Sequence, residues 1–189
     1  MKRNLFTAVV LLSFISLTFM SCEKIKDLTD IDVETTLSTD VEATSALAVE
    51  SNLKSSSIAV YSFEGTAVID PTDDAEINKY WKKIRGWEVK KIHNRIRTIS
   101  MAAIMIQGEL TVKDQETEAV LFTKKVQNIN LSGGAEVMSI VGADYSKIIS
   151  ALEAKHSLVV SIKGDLNKPG VVMLFALGFD VKVIANPLN

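Results

Sequence analysis

Apolar and polar positions alternate along most of the chain, which is the pattern of β-strands. Between Ile31 and Leu37 every second residue is apolar or threonine, and the residues between them are acidic or threonine. A period of two predicts a strand with one buried face. Similar segments predict further strands over residues 41–49, 58–63, 87–99, 104–112, 119–131, 157–163 and 171–184. Strand after strand with short turns predicts a mainly β fold, an antiparallel β-sandwich that is immunoglobulin-like or jelly-roll-like.

Two glycines lie where a strand would normally carry a side chain. Gly108 falls inside one predicted strand, and Gly164 follows directly on another. A glycine in such a place often marks a β-bulge or a close approach between two backbones. We therefore expect one of these features at each glycine.

Two segments have helical periodicity instead. Asp73 opens a capping-box pattern, and an apolar face follows from Ile77 to Ile84 before Gly86 ends the predicted helix. A second helix is predicted to start at Asp144 as N-cap and to end near His156. We expect both helices to be short connections at the ends of the sandwich.

The last predicted strand is more apolar than a strand with one buried face needs to be. Alternate residues from Val171 to Val183 form one apolar face, and over its first half the opposite face is apolar too. A second apolar run covers residues 101–106. Either these strands are buried on both faces, or they form a hydrophobic contact face for an acyl chain or another protein. The residues of that possible face are Val172, Leu174, Ala176, Met101, Met105 and Ile106.

The first residues are organised like a bacterial secretory signal peptide. Lys2 and Arg3 precede an uncharged core of 16 residues from Leu5 to Met20. This core is shorter than the roughly 20 residues that a transmembrane helix needs. Cys22 follows shortly afterwards and is the only cysteine of the chain, so an intramolecular disulfide is excluded.

The segment Leu17–Cys22, with sequence LTFMSC, resembles the lipobox of bacterial lipoproteins, although Phe19 stands where leucine is usual. The resemblance implies that diacylglycerol is attached to the Cys22 thiol and that Cys22 becomes the first residue after cleavage. The alternative is an uncleaved signal anchor. In the lipoprotein interpretation, residues 1–21 are the signal peptide, residues 22–28 are an acylated N-terminus and short tether, and residues 29–189 are a single sandwich domain.

Two further segments resemble a family. Residues 77–89 join a short helix directly to a strand, and residues 179–188 end the chain. Together they are similar to uncharacterised β-sandwich lipoproteins of Bacteroidota. The resemblance implies the sandwich fold and the lipid anchor, and it carries over no catalytic residue.

Charge is unevenly distributed and nearly balanced. Without residues 1–21 the chain has 21 − 2 = 19 basic and 23 acidic residues, a net charge near −4, which argues against a nucleic-acid partner. Acidic residues dominate positions 23–50, whereas basic residues dominate positions 79–97. We expect these two stretches to face each other, or water, in the folded domain.

Few residues are candidates for catalysis or metal binding. His93 and His156 have no second metal ligand at a useful spacing, so we interpret His93 as a surface residue and His156 as support for a helix C-terminus. The acids Asp70, Asp73 and Asp74 are better explained by helix capping than by calcium. No metal site and no cofactor is predicted.

The predicted function is therefore a non-enzymatic one. We expect a lipoprotein of the cell envelope, held at the outer membrane by the lipid on Cys22, that binds a protein, a glycan or a lipid. The alternative is a structural subunit of an envelope assembly. The sequence leaves open whether the domain faces the periplasm or the cell surface.

Overall fold

The computed structural model describes residues 30–47 and 59–188, and within them the chain forms eight strands and two short α-helices. The strands are β1 (Ile31–Thr44), β2 (Tyr61–Ile69), β3 (Ile84–Ile99), β4 (Ala103–Asp114), β5 (Val120–Leu131), β6 (Glu136–Val141), β7 (Leu158–Leu166) and β8 (Val172–Ala185). The helices are α1 (Ala75–Tyr80) and α2 (Ser146–Glu153), and 3₁₀ turns at Pro71–Asp73 and Trp81–Lys83 flank α1.

The strands form two antiparallel four-stranded sheets. Sheet A has the order β1-β8-β3-β6, and sheet B has the order β2-β7-β4-β5. The first strand therefore pairs with the eighth, the second with the seventh, the third with the sixth and the fourth with the fifth. This nested pairing is that of a jelly roll. The predicted antiparallel sandwich is confirmed, and its topology is jelly-roll-like.

The core lies between the two sheets. The residues that were predicted to share the buried face of the last strand, at alternate positions from Val171 to Val183, are all at most 2% exposed. Phe175 of sheet A stacks on Phe63 of sheet B with ring centroids 6.0 Å apart. Side chains from facing sheets interdigitate here, as in other β-sandwiches.

The strand predictions differ from the structure at β1, at β6 and at β2, which continues to Ile69 instead of ending at Phe63. The segments 31–37 and 41–49 were predicted as separate strands, but β1 is continuous to Thr44 because inward residues such as Leu37 and Val41 keep one alternation. Residues 48, 49 and 58 of the predicted strands lie outside the described residues. Strand β6 was not predicted, because its buried residues Val137 and Met138 are adjacent and hide the period of two.

The first helix is shorter than predicted. It ends at Tyr80, and β3 begins at Ile84, where hydrogen bonding to β8 replaces helical bonding. The prediction that Gly86 ends the helix is therefore wrong, since Gly86 lies inside β3. The cap is also one residue later than predicted, because the carboxylate of Asp74, not that of Asp73, accepts hydrogen bonds from the first amides of α1.

The second helix lies where it was predicted but is shorter, since it spans Ser146–Glu153 and its N-cap is Tyr145 rather than Asp144. The Asp144 carboxylate accepts the Ser146 amide at 3.0 Å, and Ile148 and Leu152 are buried. Just after the helix, the backbone amide of His156 donates a hydrogen bond to the Ala151 carbonyl. Helix α2 packs against β3 and β5 and so closes one end of the sandwich.

Candidate functional site

The six residues of the predicted contact face do not come together. Val172 is 43% exposed at the start of β8, with Leu174 and Ala176 half-buried after it on the outer face of sheet A. Met105 is fully buried between the sheets. The last two residues of the set lie elsewhere. Met101 is 45% exposed in the turn before β4, and Ile106 is half-buried at a bulge of β4 in sheet B.

The outer face of sheet A carries paired charges instead. Acidic residues of β1 and basic residues of β3 flank β8 on opposite sides. The expectation that the acidic and basic stretches face each other is confirmed by these ion pairs: Arg97–Asp40 at 2.7 Å, Lys90–Glu34, Arg85–Asp30 at 3.6 Å, and Lys182 of β8 with Asp32 at 2.8 Å. Because these charges neutralise one another, this face offers little for an ionic ligand.

A groove of about 650 Å³ crosses sheet B. All four strands of the sheet contribute to it, together with two residues at the end of β1. Its lining is Thr44, Ala46, Ser62, Phe63, Glu64, Gln107, Gly108, Glu109, Lys125, Val126, Gln127, Lys163, Gly164 and Asp165. Nine of these fourteen residues carry hydrogen-bonding side chains, while apolar atoms contribute the larger share of the exposed surface of the groove.

Two glycines form the centre of this groove. Gly108 of β4 lies directly opposite Gly164 of β7. A Cβ atom on Gly164 would lie 2.3 Å from the Gln107 carbonyl oxygen and 2.9 Å from the Gly108 Cα atom. The expected close backbone approach is thus confirmed at Gly164, and the Cβ atoms that the two glycines lack would meet the buried side chains of Met105 and Phe63.

The acidic residues of the groove are held by hydrogen-bond donors. Asp165 accepts from the Ser62 hydroxyl at 2.7 Å and from the Gln107 amide at 2.5 Å, and these bonds lower its pKa. Glu109 lies 3.0 Å from Lys163 and 3.5 Å from Lys125. The hydrogen bond from Lys163 is the main cause that lowers the pKa of Glu109. Both carboxylates are therefore ionised at neutral pH and oriented by their partners.

The second titratable cluster surrounds His156. Its Nδ1 atom lies 2.8 Å from the buried carboxylate of Asp114, and its Nε2 atom lies 3.2 Å from that of Glu116. The hydrogen bond to Asp114 raises the pKa of His156. Burial alone would raise the pKa of Asp114, but the bond from His156 and two backbone amides outweigh it and lower that pKa.

This cluster holds the β4–β5 hairpin against the end of α2. The interpretation of His156 as C-terminal support is correct for its backbone amide but leaves out the role of its ring. Ser146 and Ser150 line a neighbouring cleft of about 500 Å³. Because both nitrogens of His156 face carboxylates, neither is directed to a serine as a general base would be.

The remaining candidate residues have structural roles. Asp70 accepts the amide and hydroxyl of Thr72, and Asp74 caps α1, which confirms helix capping for these two acids. His93 is half-buried and lies against Gly178, with its ring 3.7 Å from Asp180. Within the described ranges no three His, Cys, Asp or Glu side chains are placed to hold a metal ion. Cys22 lies outside the described residues.

Comparison with known proteins gives little beyond the fold. No family model matches the chain, and no curated protein matches it. Solved structures that match include Desmodium yellow mottle tymovirus, with 11% identity, 83% of this chain and 91% of that chain covered, and a TM-score of 0.32. The unassembled KI polyomavirus VP1 pentamer has 11% identity, coverages of 84% and 96%, and a TM-score of 0.31. Cocksfoot mottle virus has 7% identity, coverages of 84% and 84%, and a TM-score of 0.36.

TM-scores of this size carry no functional argument, so the site depends on its geometry alone. In the part of the chain that the structure describes, no helix has the length and apolar character needed to cross a bilayer.

Sequence reasoning did not find the groove. The sequence does place polar residues on both sides of each strand glycine: Gln107 and Glu109 around Gly108, and Lys163 and Asp165 around Gly164. These residues reach one surface because β4 and β7 pair in the register that aligns the glycines. That register depends on the topology of the sheet, which the local pattern does not contain.

Proposed function

We propose that this chain is a lipid-anchored protein of the bacterial cell envelope whose jelly-roll domain is a non-enzymatic binding module, and that the groove of sheet B is its binding site. The observation that carries this proposal is the groove itself, about 650 Å³ in volume and lined by side chains from all four strands of sheet B. Concave sites of this size with a few oriented polar groups are the usual binding sites of proteins. The anchor is the lipid on Cys22, at the outer membrane.

The groove favours a polar, uncharged ligand. Its charged residues are two lysines and three carboxylates, and Glu109 is paired with both lysines. An anionic ligand would have to displace these pairs. Oriented amide and carboxylate groups instead suit the hydroxyl groups of a sugar, which both donate and accept hydrogen bonds. We therefore propose a neutral glycan as ligand class.

An extended peptide fits this groove less well. Peptides often bind a sheet by adding a strand to its edge, where backbone groups are unpaired. The groove runs over the face of sheet B, and its central strands β4 and β7 are paired with neighbours on both sides. A peptide lying there would lack the backbone hydrogen bonds that usually supply its affinity.

The geometry of the described residues supports binding rather than catalysis. The only described histidine–carboxylate pair within 3 Å, His156 with Asp114, has its second nitrogen facing Glu116. Glu109 and Asp165 of the groove are ionised and hydrogen-bonded, so neither is prepared to donate a proton as a general acid.

The test is a binding experiment with the mature lipidated protein in detergent, screened against an array of neutral oligosaccharides. Glu64→Gln and Gln127→Ala change exposed groove residues, and Glu42→Gln makes the same chemical change as Glu64→Gln on the outer face of sheet A. We expect each groove variant to weaken a captured glycan by about tenfold, in line with the loss of one well-made hydrogen bond to a ligand. The control should bind like the wild type.

Two results would reject the proposal. One is an array on which no neutral glycan exceeds background binding. The other is a captured glycan whose affinity is unchanged by both groove variants, since its site would then lie elsewhere on the molecule.

One observation favours the alternative, a subunit of an envelope assembly. Strand β5 has 12 residues and, among the described strands of sheet B, pairs with β4 alone. Unpaired edges are templates for strand addition, although the adjacent Lys124 and Lys125 are residues that proteins use to block it. Stable oligomers of the lipidated protein in native mass spectrometry, lost on Thr123→Pro in β5, would support this function over glycan binding.

A further inference from the structure

A second cavity, of about 240 Å³, lies where the segment after α1 meets the end of α2. Two indoles form part of its wall, with Trp81 and Trp87 in an edge-to-face arrangement and ring centroids 6.4 Å apart. Trp87 is buried, whereas Trp81 is partly exposed. The other lining residues are Ile84, Arg85, Glu153 and Lys155. The cavity thus combines aromatic surface with charges of both signs.

Its charged groups are arranged differently from the paired charges of sheet A. The Lys155 ammonium lies 5.6 Å from the centroid of the Trp81 ring, and Lys155 is held there by a left-handed backbone conformation with φ of 67° after α2. Arg85 makes a loose pair with Asp30 at 3.6 Å, which leaves most of its five N–H donors for other partners. Glu153 is exposed at the same cavity.

Such a cavity complements a small zwitterion. A phosphodiester would accept hydrogen bonds from the guanidinium of Arg85 and the ammonium of Lys155. An ammonium group on the same ligand would find the carboxylate of Glu153. Phosphate and ammonium joined by a short linker are the headgroup of a zwitterionic phospholipid.

The position of the cavity points to the membrane as the source of that ligand. Asp30, the partner of Arg85, is the first described residue and is eight residues from Cys22. Eight residues reach at most about 29 Å, so a lipid on Cys22 would keep this end of the domain near the headgroups. Exposed lysines at 79, 82 and 83 surround Tyr80 and Trp81 here. Aromatic and lysine side chains of this kind are typical of membrane–water interfaces.

We propose that this end of the sandwich rests on the membrane and that its cavity holds the phosphoethanolamine headgroup of a zwitterionic phospholipid. The inference rests on the lipid anchor of the proposed function but not on the groove of sheet B. The acyl chains on Cys22 hold the protein at the bilayer, and the cavity fixes its orientation there.

The experiment uses the mature lipidated protein in phosphatidylethanolamine vesicles that carry a trace phospholipid with a nitroxide on its headgroup. The chain has two tryptophans, both in this cavity, so quenching of its indole emission reports whether the cavity meets the headgroups. We expect emission to fall by about twofold relative to vesicles without nitroxide, because the partly exposed ring of Trp81 would lie among the headgroups. The double variant Arg85→Gln/Lys155→Gln should lose this quenching.

The matched control is Lys113→Gln/Lys124→Gln, which removes two exposed positive charges from sheet B. It should be quenched like the wild type. In vesicles of phosphatidylglycerol, which has the phosphate but no ammonium group, quenching should be weaker than in phosphatidylethanolamine. Soluble glycerophosphoethanolamine, added to the vesicles in excess, should reduce the quenching by competing for the cavity.

Flotation with the vesicles distinguishes a failure of the lipid anchor from a failure of the docking proposal. If the protein does not float with the vesicles, the lipid anchor itself is wrong. If the protein floats but its tryptophans are not quenched, the anchor stands and the docking proposal is overturned. Equal or stronger quenching on phosphatidylglycerol would overturn the headgroup assignment, because general attraction of lysines to an anionic surface would then explain the contact.

Discussion

At the scale of single residues, glycines allow neighbouring strands and side chains to approach closely. Gly164 allows β7 and β4 to approach until a Cβ atom would lie 2.3 Å from a carbonyl oxygen. Gly178 similarly makes room for the ring of His93 over β8. These glycines let backbone and ring atoms approach more closely than a residue with a Cβ atom would allow.

Gly164→Ala should therefore destabilise the domain. The new methyl group would meet backbone atoms of Gln107 and Gly108, which cannot turn aside, and we expect a loss of about 1–3 kcal/mol in the free energy of unfolding. Gly133→Ala is the control, because nothing lies within 4 Å of its added Cβ atom. Denaturant titration measures both, and an equal effect of the two substitutions would contradict the close approach.

His156 should make the stability depend on pH. Its pKa is raised in the folded state by Asp114, so its contribution is complete below the unfolded value of about 6.5 and is lost as pH rises through the folded value. The pKa of Asp114 is lowered, so its contribution is present above about 3.9 and is lost as pH falls through its folded value.

The denaturant midpoint of the wild type should consequently decline above neutral pH. His156→Asn should flatten that decline, whereas His93→Asn, which removes the other histidine of the chain, should retain it. A decline that persists unchanged in His156→Asn would show that the pair with Asp114 contributes nothing to the pH dependence.

At the scale of the elements, local capping chemistry explains where α1 begins. The Asp74 carboxylate accepts the amides of Glu76 and Ile77 and also the hydroxyl of Thr35 in β1 at 2.7 Å. Asp74→Ala should cost about 0.5–2 kcal/mol of stability. Asp73→Ala should cost less than about 0.5 kcal/mol, because Asp73 is exposed and caps no amide. If Asp73→Ala lost more stability than Asp74→Ala, Asp73 would be the cap of α1, as the sequence predicted.

Substitution of an apolar residue should destabilise the domain more in β4, at Met105, than in β8, at Leu174. Met105→Asn would bury an amide inside the sandwich and should cost about 2–5 kcal/mol. Leu174 is half-buried on the outer face of sheet A, so Leu174→Asn should cost less than about 1.5 kcal/mol. Similar denaturant midpoints for the two variants would mean that the outer face is covered in solution.

The elements also show what the sequence could predict. The buried face of β8 and the inward residues of α2 follow from local periodicity, which was enough to predict the sandwich. The break of the first helix at Tyr80 was missed, because β3 gains its partner from β8, about a hundred residues later in the chain. Strand β6 was missed for the related reason that its pairing with β3, rather than its own pattern, makes it a strand.

At the scale of the whole molecule, the two proposed sites lie near opposite ends of β1. Asp30 precedes this strand at the cavity of Trp81, and Thr44 and Ala46 follow its end at the groove of sheet B. A strand of 14 residues extends over roughly 46 Å. An anchor at the Asp30 end would therefore present the groove away from the bilayer surface, where a glycan can reach it.

The envelope location and the membrane orientation both depend on the lipid at Cys22, so the most direct test is the intact mass of the mature chain extracted from the envelope of a bacterium that processes lipoproteins. The account predicts a chain that begins at Cys22 and carries the added mass of a diacylglycerol group, with or without a further acyl chain. It also predicts that Cys22→Ser accumulates as the unmodified full-length precursor. A wild-type chain that retains residues 1–21, or begins elsewhere without lipid, would contradict the account.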